Sequence, residues 1–416
     1  MAEKRIVLGN CGAVDPQEIE SYLKAGGFKA YEKARRMKPK AIVEEVKKSG
    51  LTGRGGAGFN CGLKWELAMN ARGRQKYLIC NADEGEVGAF KDKYILSHDP
   101  FGLIEGMLIA GQAIGARKAY IYLRGEYHPL SGLLVSAIGQ TGAKGYLRDM
   151  DIQVFEGAGA YVCGEESALM NSIEGQRGES RYKPPYPPQR GLWDMPTIIN
   201  NVETLMNIPH IISNGAAWFS AMGSGRSRGT KVFSVSGDVG RPGVYEMEMG
   251  STLRGLIIDL AGATDVKAVQ IGGATGNIIP GSMIDTPLSH ETFLGSGAVM
   301  VFNSTRDIID IVYNDMRFLN EESCGKCTPC REGTEVMLEI YGRLQQGDGK
   351  ERDITSLEEL ARTMASASLC GLGQAAAVPV LDSLKYFYNE YIDRVDQSQF
   401  LRSYLGELDK TTEVVR

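Results

Sequence analysis

The sequence has no long apolar run, and no segment approaches the roughly 18 consecutive apolar residues that a membrane-spanning helix requires. The opening residues MAEKRIVLGN contain no apolar stretch before a cleavage site, so they do not resemble a secretory signal. Internal repeats and low-complexity tracts are also missing. These absences argue against a secreted protein or a membrane protein, and we expect a cytoplasmic one.

Excess positive charge is absent as well. The formal net charge of −5 gives no reason to expect nucleic acid or an anionic membrane surface as a partner. The composition, with 43% hydrophobic and 23% charged residues, is that of a soluble globular protein. Since 416 residues are too many for one ordinary core, we expect two or three domains.

The spacing of apolar residues changes twice along the chain. YLIC (77–80) and KAYIYLR (118–124) look like buried strands, and FGLIEGMLIAGQAIG (101–115) has helical apolar spacing, so the first part reads as α/β. From Thr230 short alternating runs separated by turns predict a small β-rich domain. After Thr305 four segments with helical spacing predict an antiparallel bundle. We place the domains at 1–228, 229–304 and 305–416.

The eight cysteines are unevenly distributed. Three lie in SCGKCTPCR, as Cys324, Cys327 and Cys330, and Cys370 follows in ASLCGLG. Three closely spaced thiolates from one tight loop and a fourth from elsewhere suit a [4Fe–4S] cluster. A zinc site is the alternative, although structural zinc usually draws its sulfurs from two separate CxxC pairs. The isolated cysteines are expected to be small buried hydrophobes: Cys11, Cys61, Cys80 and Cys163.

Glycine is concentrated in three segments. They are 50–62, 81–90 and 155–169. GRGGAG (53–58) matches the dinucleotide fingerprint G-x-G-x-x-G, but that fingerprint requires a preceding strand, and the residues before it read as an amphipathic helix that ends at Gly50. Alone, the match indicates either phosphate binding or a structural turn. Arg54 and Lys64 add positive charge beside backbone N–H groups, which favours a phosphate or pyrophosphate.

Polar side chains are grouped in the segments that follow. CNADEGEVG holds Asn81, Asp83, Glu84 and Glu86, which are either a solvated face or hydrogen-bond partners of ribityl, ribose or carboxamide groups. The third glycine segment ends in Gly164, Glu165 and Glu166, and INNVET supplies Asn200, Asn201 and Thr204.

RYKPPYPPQRG (181–191) is rich in proline, and such stretches are commonly rigid linkers. Here the stretch places Lys183 and Tyr186 on a stiff strap, where the aromatic face could stack on a base or nicotinamide. The histidines form no cluster in the sequence, and each is expected to be a surface or satisfied core residue: His98, His128, His210 and His290.

Six motifs occur in a fixed order: GRGGAGF, CNADEGE, GAGAYVCGEE, KPP, INNVET and SCGKCTPCR. Together they resemble the NADH-binding flavoprotein subunit of respiratory complex I and its relatives in NAD-linked hydrogenases, including electron-bifurcating ones, and formate dehydrogenases. The resemblance covers nearly the whole chain. It implies a Rossmann-like FMN and NADH domain, a β-grasp-like (ubiquitin-like) domain and a helical bundle that holds a [4Fe–4S] cluster.

The resemblance also implies the site residues. FMN would be held by Gly53, Arg54, Gly55, Gly56, Lys64, Asn81, Asp83, Glu84, Gly164, Glu165, Asn200, Asn201 and Thr204. NADH would stack over it through Phe59, Lys64, Glu86, Tyr161, Glu166, Lys183 and Tyr186, with Glu86 and Lys64 serving catalysis. The cluster ligands would be Cys324, Cys327, Cys330 and Cys370. Asn60 and Cys61 stand where complex I proteins usually have Pro-Thr, and the N-terminal segment looks more like the hydrogenase and formate dehydrogenase relatives.

The function implied is that of a diaphorase subunit. A hydride passes from NADH to FMN, and single electrons then pass to the cluster and to partner subunits of a hydrogenase, formate dehydrogenase or NADH dehydrogenase. The partners implied are a thioredoxin-like [2Fe–2S] subunit and a further iron–sulfur or catalytic subunit, since the sequence has no second cysteine cluster. Two alternatives stay open: a bifurcating subunit that couples NAD(H) and ferredoxin to hydrogenase, and a non-catalytic iron–sulfur scaffold.

Overall fold

A computed structural model of the chain describes residues 3–395. It forms two compact units. The first runs to Asp265 and includes Gln270–Gly273 and Ser282–Val301, and the second comprises Val266–Val269, Ala274–Gly281 and the chain from Phe302 onward. Residues 1–2 of the first predicted domain and 396–416 of the predicted bundle lie outside the described residues. Within the described part, no helix is both long and apolar enough to cross a membrane.

Helices and short strands alternate along the first half of the chain. They are α1 (Ile19–Lys24), α2 (Lys29–Arg35), α3 (Pro39–Ser49), α4 (Cys61–Asn70), β1 (Tyr77–Ala82), α5 (Lys91–His98), α6 (Pro100–Ile114), β2 (Lys118–Leu123), α7 (Ser131–Ala143), β3 (Asp151–Glu156), α8 (Glu166–Ile173), β4 (Thr197–Asn201), α9 (Val202–Asn214) and α10 (Ala216–Ser220). The two strands and the helix expected at 77–80, 118–124 and 101–115 are therefore confirmed.

Strands β1 to β4 form a parallel sheet in the order β3-β2-β1-β4. Ile79 in the middle of β1 aligns with Tyr120 of β2 on one side and with Ile199 of β4 on the other. The chain order therefore reverses at β1, and in open parallel sheets the crevice outside the carboxyl ends of the strands at such a reversal is where ligands bind. The predicted mixed α/β fold with a parallel sheet is confirmed.

The ends of the first helices follow from local chemistry. The Asp99 carboxylate accepts the N–H of Gly102 at 2.9 Å, Pro100 occupies the first turn of α6, and Gly115 ends that helix with φ of 78°. Helix α3 ends in the same way at Gly50, with φ of 72°. The glycine-rich loop thus follows a helix, as predicted, and not the strand that the dinucleotide fingerprint requires.

The next region is rich in short strands. They are β5 (Gly223–Ser224), β6 (Ser227–Arg228), β7 (Thr230–Gly237), β8 (Gly243–Glu248), β9 (Ala268–Ile271), β10 (Asn277–Pro280) and β11 (Ala298–Phe302). The last five form a mixed sheet in the order β10-β9-β11-β7-β8, with β7 antiparallel to β8 and parallel to β11. The strand-rich texture expected after Thr230 is confirmed.

The remainder of the described chain is helical, as predicted. The helices are α11 (Ile308–Glu321), α12 (Thr328–Gln346), α13 (Glu351–Ala367), α14 (Gly371–Ala375), α15 (Ala377–Tyr386) and α16 (Tyr388–Ile392). Helix α11 packs on α12, α12 on α13, and α13 on α15. Their contact faces are apolar, because Met316, Met337, Leu357 and Val380 are all buried.

A fully buried ion pair joins α9 to β7. The Lys231 ammonium lies 2.6 Å from a Glu203 carboxylate oxygen, and the other oxygen accepts the N–H of Val232 at 2.8 Å. A second buried ammonium, that of Lys91, lies 3.1 Å from Glu203. Burial acts to raise the pKa of Glu203, but Lys231 and Lys91 outweigh it and lower that pKa. Sequence reasoning missed this pair, although each member is a lone charge in an apolar segment.

Replacing Glu203 by Gln should destabilise the first unit strongly, because it leaves Lys231 buried without its counter-charge. We expect a loss of about 3–5 kcal/mol in the free energy of unfolding, measured by urea titration. The control is Asp285→Asn, which breaks the exposed pair between Asp285 and Arg254 and should cost under about 1 kcal/mol. Equal losses in the two variants would contradict the role given to Glu203.

Candidate functional site

The glycine-rich loop at 53–58 connects α3 to α4. Gly56 and Gly58 have φ values of 116° and 65°, in the region that glycine adopts most readily. The loop is anchored at its start, where the N–H of Gly53 donates to the carbonyl of Phe59 at 2.8 Å. A Cβ on Gly55 would lie 3.1 Å from Cβ of Asn201, so the loop approaches the end of β4 closely.

The tip of this loop carries exposed hydrogen-bond donors. The tip is at the surface, because Gly55, Gly56 and Ala57 are exposed and Gly58 is partly exposed. Successive backbone N–H groups in a glycine-rich turn form a concavity that suits phosphate oxygens. The loop therefore fits the phosphate of FMN by its own donor set.

Arg54 lies inside the loop and not in the open crevice. Its backbone N–H donates to the Thr204 hydroxyl at 2.9 Å, while its guanidinium donates to the Thr52 hydroxyl at 2.7 Å and to the carbonyl of Arg228. The side chain is buried, and burial lowers its pKa. Arginine nevertheless stays charged in proteins, so the loop has a fixed positive charge beneath it. Direct contact of Arg54 with FMN stays a prediction.

Two lysines and two glutamates form an alternating chain of charge. Lys64 donates to Glu166 at 3.0 Å and to the carbonyl of Ile199 at 3.0 Å, which ties α4 to β4. Lys183, in the proline-rich strap, donates to Glu166 at 2.9 Å and to Glu165 at 2.7 Å. The sequence placed these four residues in three separate motifs, and the structure brings them together.

The charge state of Glu166 is fixed by this chain. Burial acts to raise the pKa of Glu166, but Lys64 and Lys183 overcome it and lower the pKa to about 2. Glu165 is held in a second way, because its carboxylate accepts the N–H groups of Ser167 and Ala168 at the start of α8. Both carboxylates are therefore ionised at neutral pH and fixed in position.

The end of β1 meets the third glycine segment. The Asn81 amide donates to the carbonyl of Gly164 at 2.8 Å, and its oxygen accepts the N–H of Asp83 at 3.0 Å. A Cβ on Gly164 would lie 3.4 Å from the carbonyl oxygen of Asp83. These contacts place Asn81, Asp83 and Gly164 side by side at the carboxyl end of the sheet.

Glu86 and Tyr161 also come together. The Tyr161 hydroxyl donates to Glu86 at 2.8 Å. A Cβ on Gly273, whose φ is 78°, would lie 2.4 Å from Cγ of Glu86, so the carboxylate side chain rests directly on glycine backbone. Two residues that the resemblance assigns to NADH are therefore partners in one hydrogen bond.

Glu84 has a structural task. Its carboxylate accepts the N–H groups of Asp92 at 3.0 Å and of Lys93 at 3.1 Å, and the Tyr127 hydroxyl donates to it at 2.9 Å. These bonds cap the start of α5. Burial first, and the charge of Asp92 second, raise the pKa of Glu84. A role in FMN binding stays a prediction.

The end of β4 supplies two amides. The Trp65 indole donates to the Asn200 oxygen at 2.8 Å. The Asn201 oxygen accepts the N–H of Glu203 at 3.0 Å, and its amide donates to Asp92 at 2.6 Å. Each amide is therefore fixed by a protein partner while it lies at the end of the sheet beside the glycine-rich loop.

The aromatic residues assigned to NADH stacking are at the surface. Phe59 is 53% exposed and Tyr186 is 52% exposed. The N–H of Tyr186 donates to Gln189 within the strap at 3.2 Å. Exposed rings are available to a planar ligand, and their stacking on NADH stays a prediction.

His290 is a contact of the loop that sequence reasoning missed. Its Nε2 lies 2.8 Å from the Thr52 hydroxyl, which accepts a hydrogen bond from Arg54. A Cβ on Gly58 would lie 2.9 Å from the imidazole, so the ring packs against the loop. Nothing in the sequence signalled this, because His290 lies more than two hundred residues from the loop.

Three of the four clustered cysteines lie at the starts of two helices, and Cys324 lies in the loop between α11 and α12. Cys327 immediately precedes α12, Cys330 is in its first turn, and Cys370 immediately precedes α14. The pKa of Cys330 is raised to about 11, chiefly by burial and also by the neighbouring thiols of Cys327, Cys370 and Cys324, against the lowering effect of its hydrogen bond with Ser323. The isolated cysteines are buried, as predicted: Cys11, Cys61, Cys80 and Cys163.

These thiols fit a [4Fe–4S] cluster by their chemistry. In such a cluster each of four thiolates binds a different iron, so the sulfurs surround the cluster and do not meet at one ion. Within residues 3–395, no three His, Cys, Asp or Glu side chains lie close enough to share a single ion. Four thiols that lie close together, three of them at the starts of two helices, supply the donor set that a cluster needs.

Comparisons with known proteins agree with this geometry. Residues 46–210 match the Nuo51 FMN-binding domain, residues 310–394 the iron–sulfur binding region of NADH-ubiquinone oxidoreductase-F, and residues 232–277 the SLBB domain. The chain is 41% identical to the NADP-reducing hydrogenase subunit HndC of Solidesulfovibrio fructosivorans, over 95% of this chain and 84% of that protein. It is 40% identical to an F-type subunit of the NADH-quinone oxidoreductase of Rhizobium meliloti, over 94% and 98%.

The chain belongs to the family of NADH-binding flavoprotein subunits of NADH-quinone oxidoreductases and NAD-linked hydrogenases. A solved NAD⁺-reducing [NiFe]-hydrogenase in the H₂-reduced state superposes with a TM-score of 0.86 at 38% identity, over 95% of this chain and 67% of that one. The predicted cofactors FMN, NAD(H) and [4Fe–4S] are confirmed by the matched domains. The prediction of an NADH-oxidising flavoprotein subunit is confirmed as well.

Replacing Gly58 by Ala should weaken FMN binding, because the new Cβ meets the His290 ring and the backbone has a positive φ. We expect the dissociation constant of FMN to rise about tenfold, from a cost of roughly 1–3 kcal/mol in loop strain. Quenching of flavin fluorescence during titration of the apoprotein measures it. Gly132→Ala in α7, where a Cβ meets nothing within 4 Å, is the matched control. An FMN affinity unchanged in Gly58→Ala would show that the loop does not bind the cofactor.

Proposed function

We propose that the chain oxidises NADH at an FMN bound outside the carboxyl ends of β1 and β4 and delivers electrons to a cluster held by Cys324, Cys327, Cys330 and Cys370. When bound, FMN accepts a hydride from NADH and releases electrons singly. The observation that carries the proposal is the convergence of four segments at this end of the sheet. Lys64 donates a hydrogen bond to the carbonyl of Ile199 in β4, and it forms an ion pair with Glu166 at the start of α8.

The chain's own residues bind and orient the two cofactors. The exposed N–H groups of 55–58 are proposed to bind the FMN phosphate, and the ends of β1 and β4 the flavin and ribityl groups. Glu86, held by the Tyr161 hydroxyl, is proposed to position the nicotinamide, and Lys64, held by Glu166, to serve catalysis beside the flavin. Ring stacking is a problem of position and not of proton transfer, so no general base is required. These fixed charges argue against a non-catalytic scaffold.

The domain assignment is part of the proposal. We assign a Rossmann-like domain to 1–228, a β-grasp-like domain to 229–304 and the cluster-binding bundle to 305–416. The parallel order β3-β2-β1-β4 supports the first, and the SLBB match over 232–277 supports the second. The match to the iron–sulfur region over 310–394 supports the third.

We propose that the protein works as one subunit of a cytoplasmic hetero-oligomer. The names of its relatives describe subunits of a hydrogenase and of NADH-quinone oxidoreductase. By analogy the chain would pass electrons to a thioredoxin-like [2Fe–2S] subunit and to a further iron–sulfur or catalytic subunit of hydrogenase or formate dehydrogenase type. Membrane insertion and nucleic acid have no part in this function.

The test uses the purified full chain with NADH and an artificial acceptor. We expect it to contain about one FMN and about four iron atoms, and to reduce ferricyanide, but not to reduce quinone or form hydrogen or formate without its partners. Full-rate quinone reduction or hydrogen formation by the isolated chain would refute the proposed dependence on partners.

Two substitutions, tested in the same assay, distinguish the cluster site from the flavin and NADH site. Cys370→Ser should lower the iron content while FMN and ferricyanide reduction are retained, and Cys11→Ser, in a buried thiol outside the site, should change neither. Glu86→Gln should keep FMN and iron but lower turnover with NADH. Loss of FMN from Glu86→Gln would place that residue on the flavin and not on the nicotinamide.

Glu166 should set the preference between NADH and NADPH, because its carboxylate is ionised and fixed by Lys64 and Lys183. We assign Glu166 to the adenosine ribose of NADH, and a carboxylate at that position repels a 2′-phosphate. We expect Glu166→Gln to raise kcat/KM for NADPH relative to NADH by about tenfold, or ~1.4 kcal/mol. Glu174→Gln, which removes a carboxylate paired with Arg181 at the other end of α8, should leave the ratio unchanged. An unchanged ratio in both variants would exclude Glu166 as the determinant.

A further inference from the structure

Ser323 lies directly beside the cysteine site. Its hydroxyl oxygen is 3.3 Å from Sγ of Cys330, and it accepts the N–H of Gly325 at 3.3 Å. A cysteine bound to iron is a thiolate, which accepts hydrogen bonds and has no proton to donate. In the cluster-bound protein the hydrogen of this pair must therefore come from Ser323, and the bond that its oxygen accepts from Gly325 leaves that hydrogen available to sulfur.

A second hydroxyl, that of Ser368, also lies near Cys330. Ser368 ends α13 two residues before Cys370, and it is 5% exposed. Among the described residues its hydroxyl has no hydrogen-bond partner. A buried hydroxyl without a protein partner is available to an acceptor that a bound group supplies.

The direction of this hydroxyl is shown by Gly373. A Cβ on Gly373 would lie 2.6 Å from Oγ of Ser368 and 2.9 Å from Cβ of Cys330. The hydroxyl and the cysteine side chain therefore face the same point on α14. The Gln374 amide donates to the carbonyl of Ser368 at 2.9 Å, which fixes the backbone from which the hydroxyl projects.

We propose that Ser323 and Ser368 donate hydrogen bonds to sulfur atoms of the [4Fe–4S] cluster and thereby raise its reduction potential. The proposal rests on the cysteine ligand set given above. Reduction adds negative charge to the cluster, so a donor to sulfur stabilises the reduced form more than the oxidised form. The two hydroxyls would act on the sulfur of Cys330 and on the cluster sulfur nearest to α14.

The test is a redox titration of the purified full chain, with the reduced cluster followed by electron paramagnetic resonance. At a fixed potential, Ser323→Ala and Ser368→Ala should each lower the ratio of reduced to oxidised cluster about fivefold, the worth of one ordinary hydrogen bond. With 59 mV per tenfold change for one electron, this is a shift of about 40 mV to lower potential. The FMN potential and the iron content should not change.

Two further variants control for general effects. Ser366→Ala removes an exposed hydroxyl from the same helix and should leave the cluster potential unchanged. Ser323→Thr keeps a hydroxyl at the same position and should restore the potential to that of the unmodified protein. Alanine variants that retain a full cluster with an unshifted potential would overturn the proposal.

If an alanine variant fails to assemble the cluster, the proposal is tested on the unmodified protein instead. After exchange into D₂O, electron–nuclear double resonance should detect deuterons coupled to the reduced cluster at distances typical of O–H···S bonds, and their absence would overturn the proposal. Failure of the ligand set is a different result. It would appear as an unmodified chain without iron and sulfide, or as a Cys370→Ser variant that keeps its full cluster.

Discussion

The flavin half of the molecule depends on charge that is buried below the glycine-rich loop. Lys91 and Lys231 are buried there, with the carboxylates of Asp92 and Glu203 as counter-charges. The buried guanidinium of Arg54 is held by hydrogen bonds to the Thr52 hydroxyl and the carbonyl of Arg228. Taking so many ions out of water is costly unless every one is paired and hydrogen-bonded. The network therefore allows one arrangement of α9, β7 and the loop, and the loop can present its N–H groups without support from a preceding strand.

This arrangement explains why the glycine motif departs from the dinucleotide fold that it resembles in sequence. In that fold a strand leads into the glycines, and the following helix directs its N-terminus to the pyrophosphate. Here α3 leads in and ends at Gly50, and Thr204 and His290 hold the loop from the side. The glycines serve the same chemical purpose, close approach of backbone to phosphate, on a different support.

Local features were predictable from the sequence because their cause is local. The spacing of Cys324, Cys327 and Cys330 and the apolar periodicity of α6 are such features. Residues whose task depends on a distant partner were not predictable. The cap that Glu84 provides for α5 and the burial of Arg54 were not predicted, while the FMN contacts of both residues stay predictions. Lys231 and Glu203 form their ion pair although they are 28 residues apart in the sequence. The apolar periodicity of a segment does not predict such a pair.

The placement of Cys327 before α12 and of Cys370 before α14 has a mechanical consequence. With the proposed ligands, the cluster is a covalent cross-link between two helix starts, and it closes the chain from Cys330 to Cys370 into a ring. Closing a ring of about 40 residues removes roughly 4 kcal/mol of entropy from the unfolded chain, if a cluster acts as a disulfide does. The cluster would thus stabilise the helical bundle as well as carry electrons. Oxidative damage to the cluster would therefore destabilise that bundle.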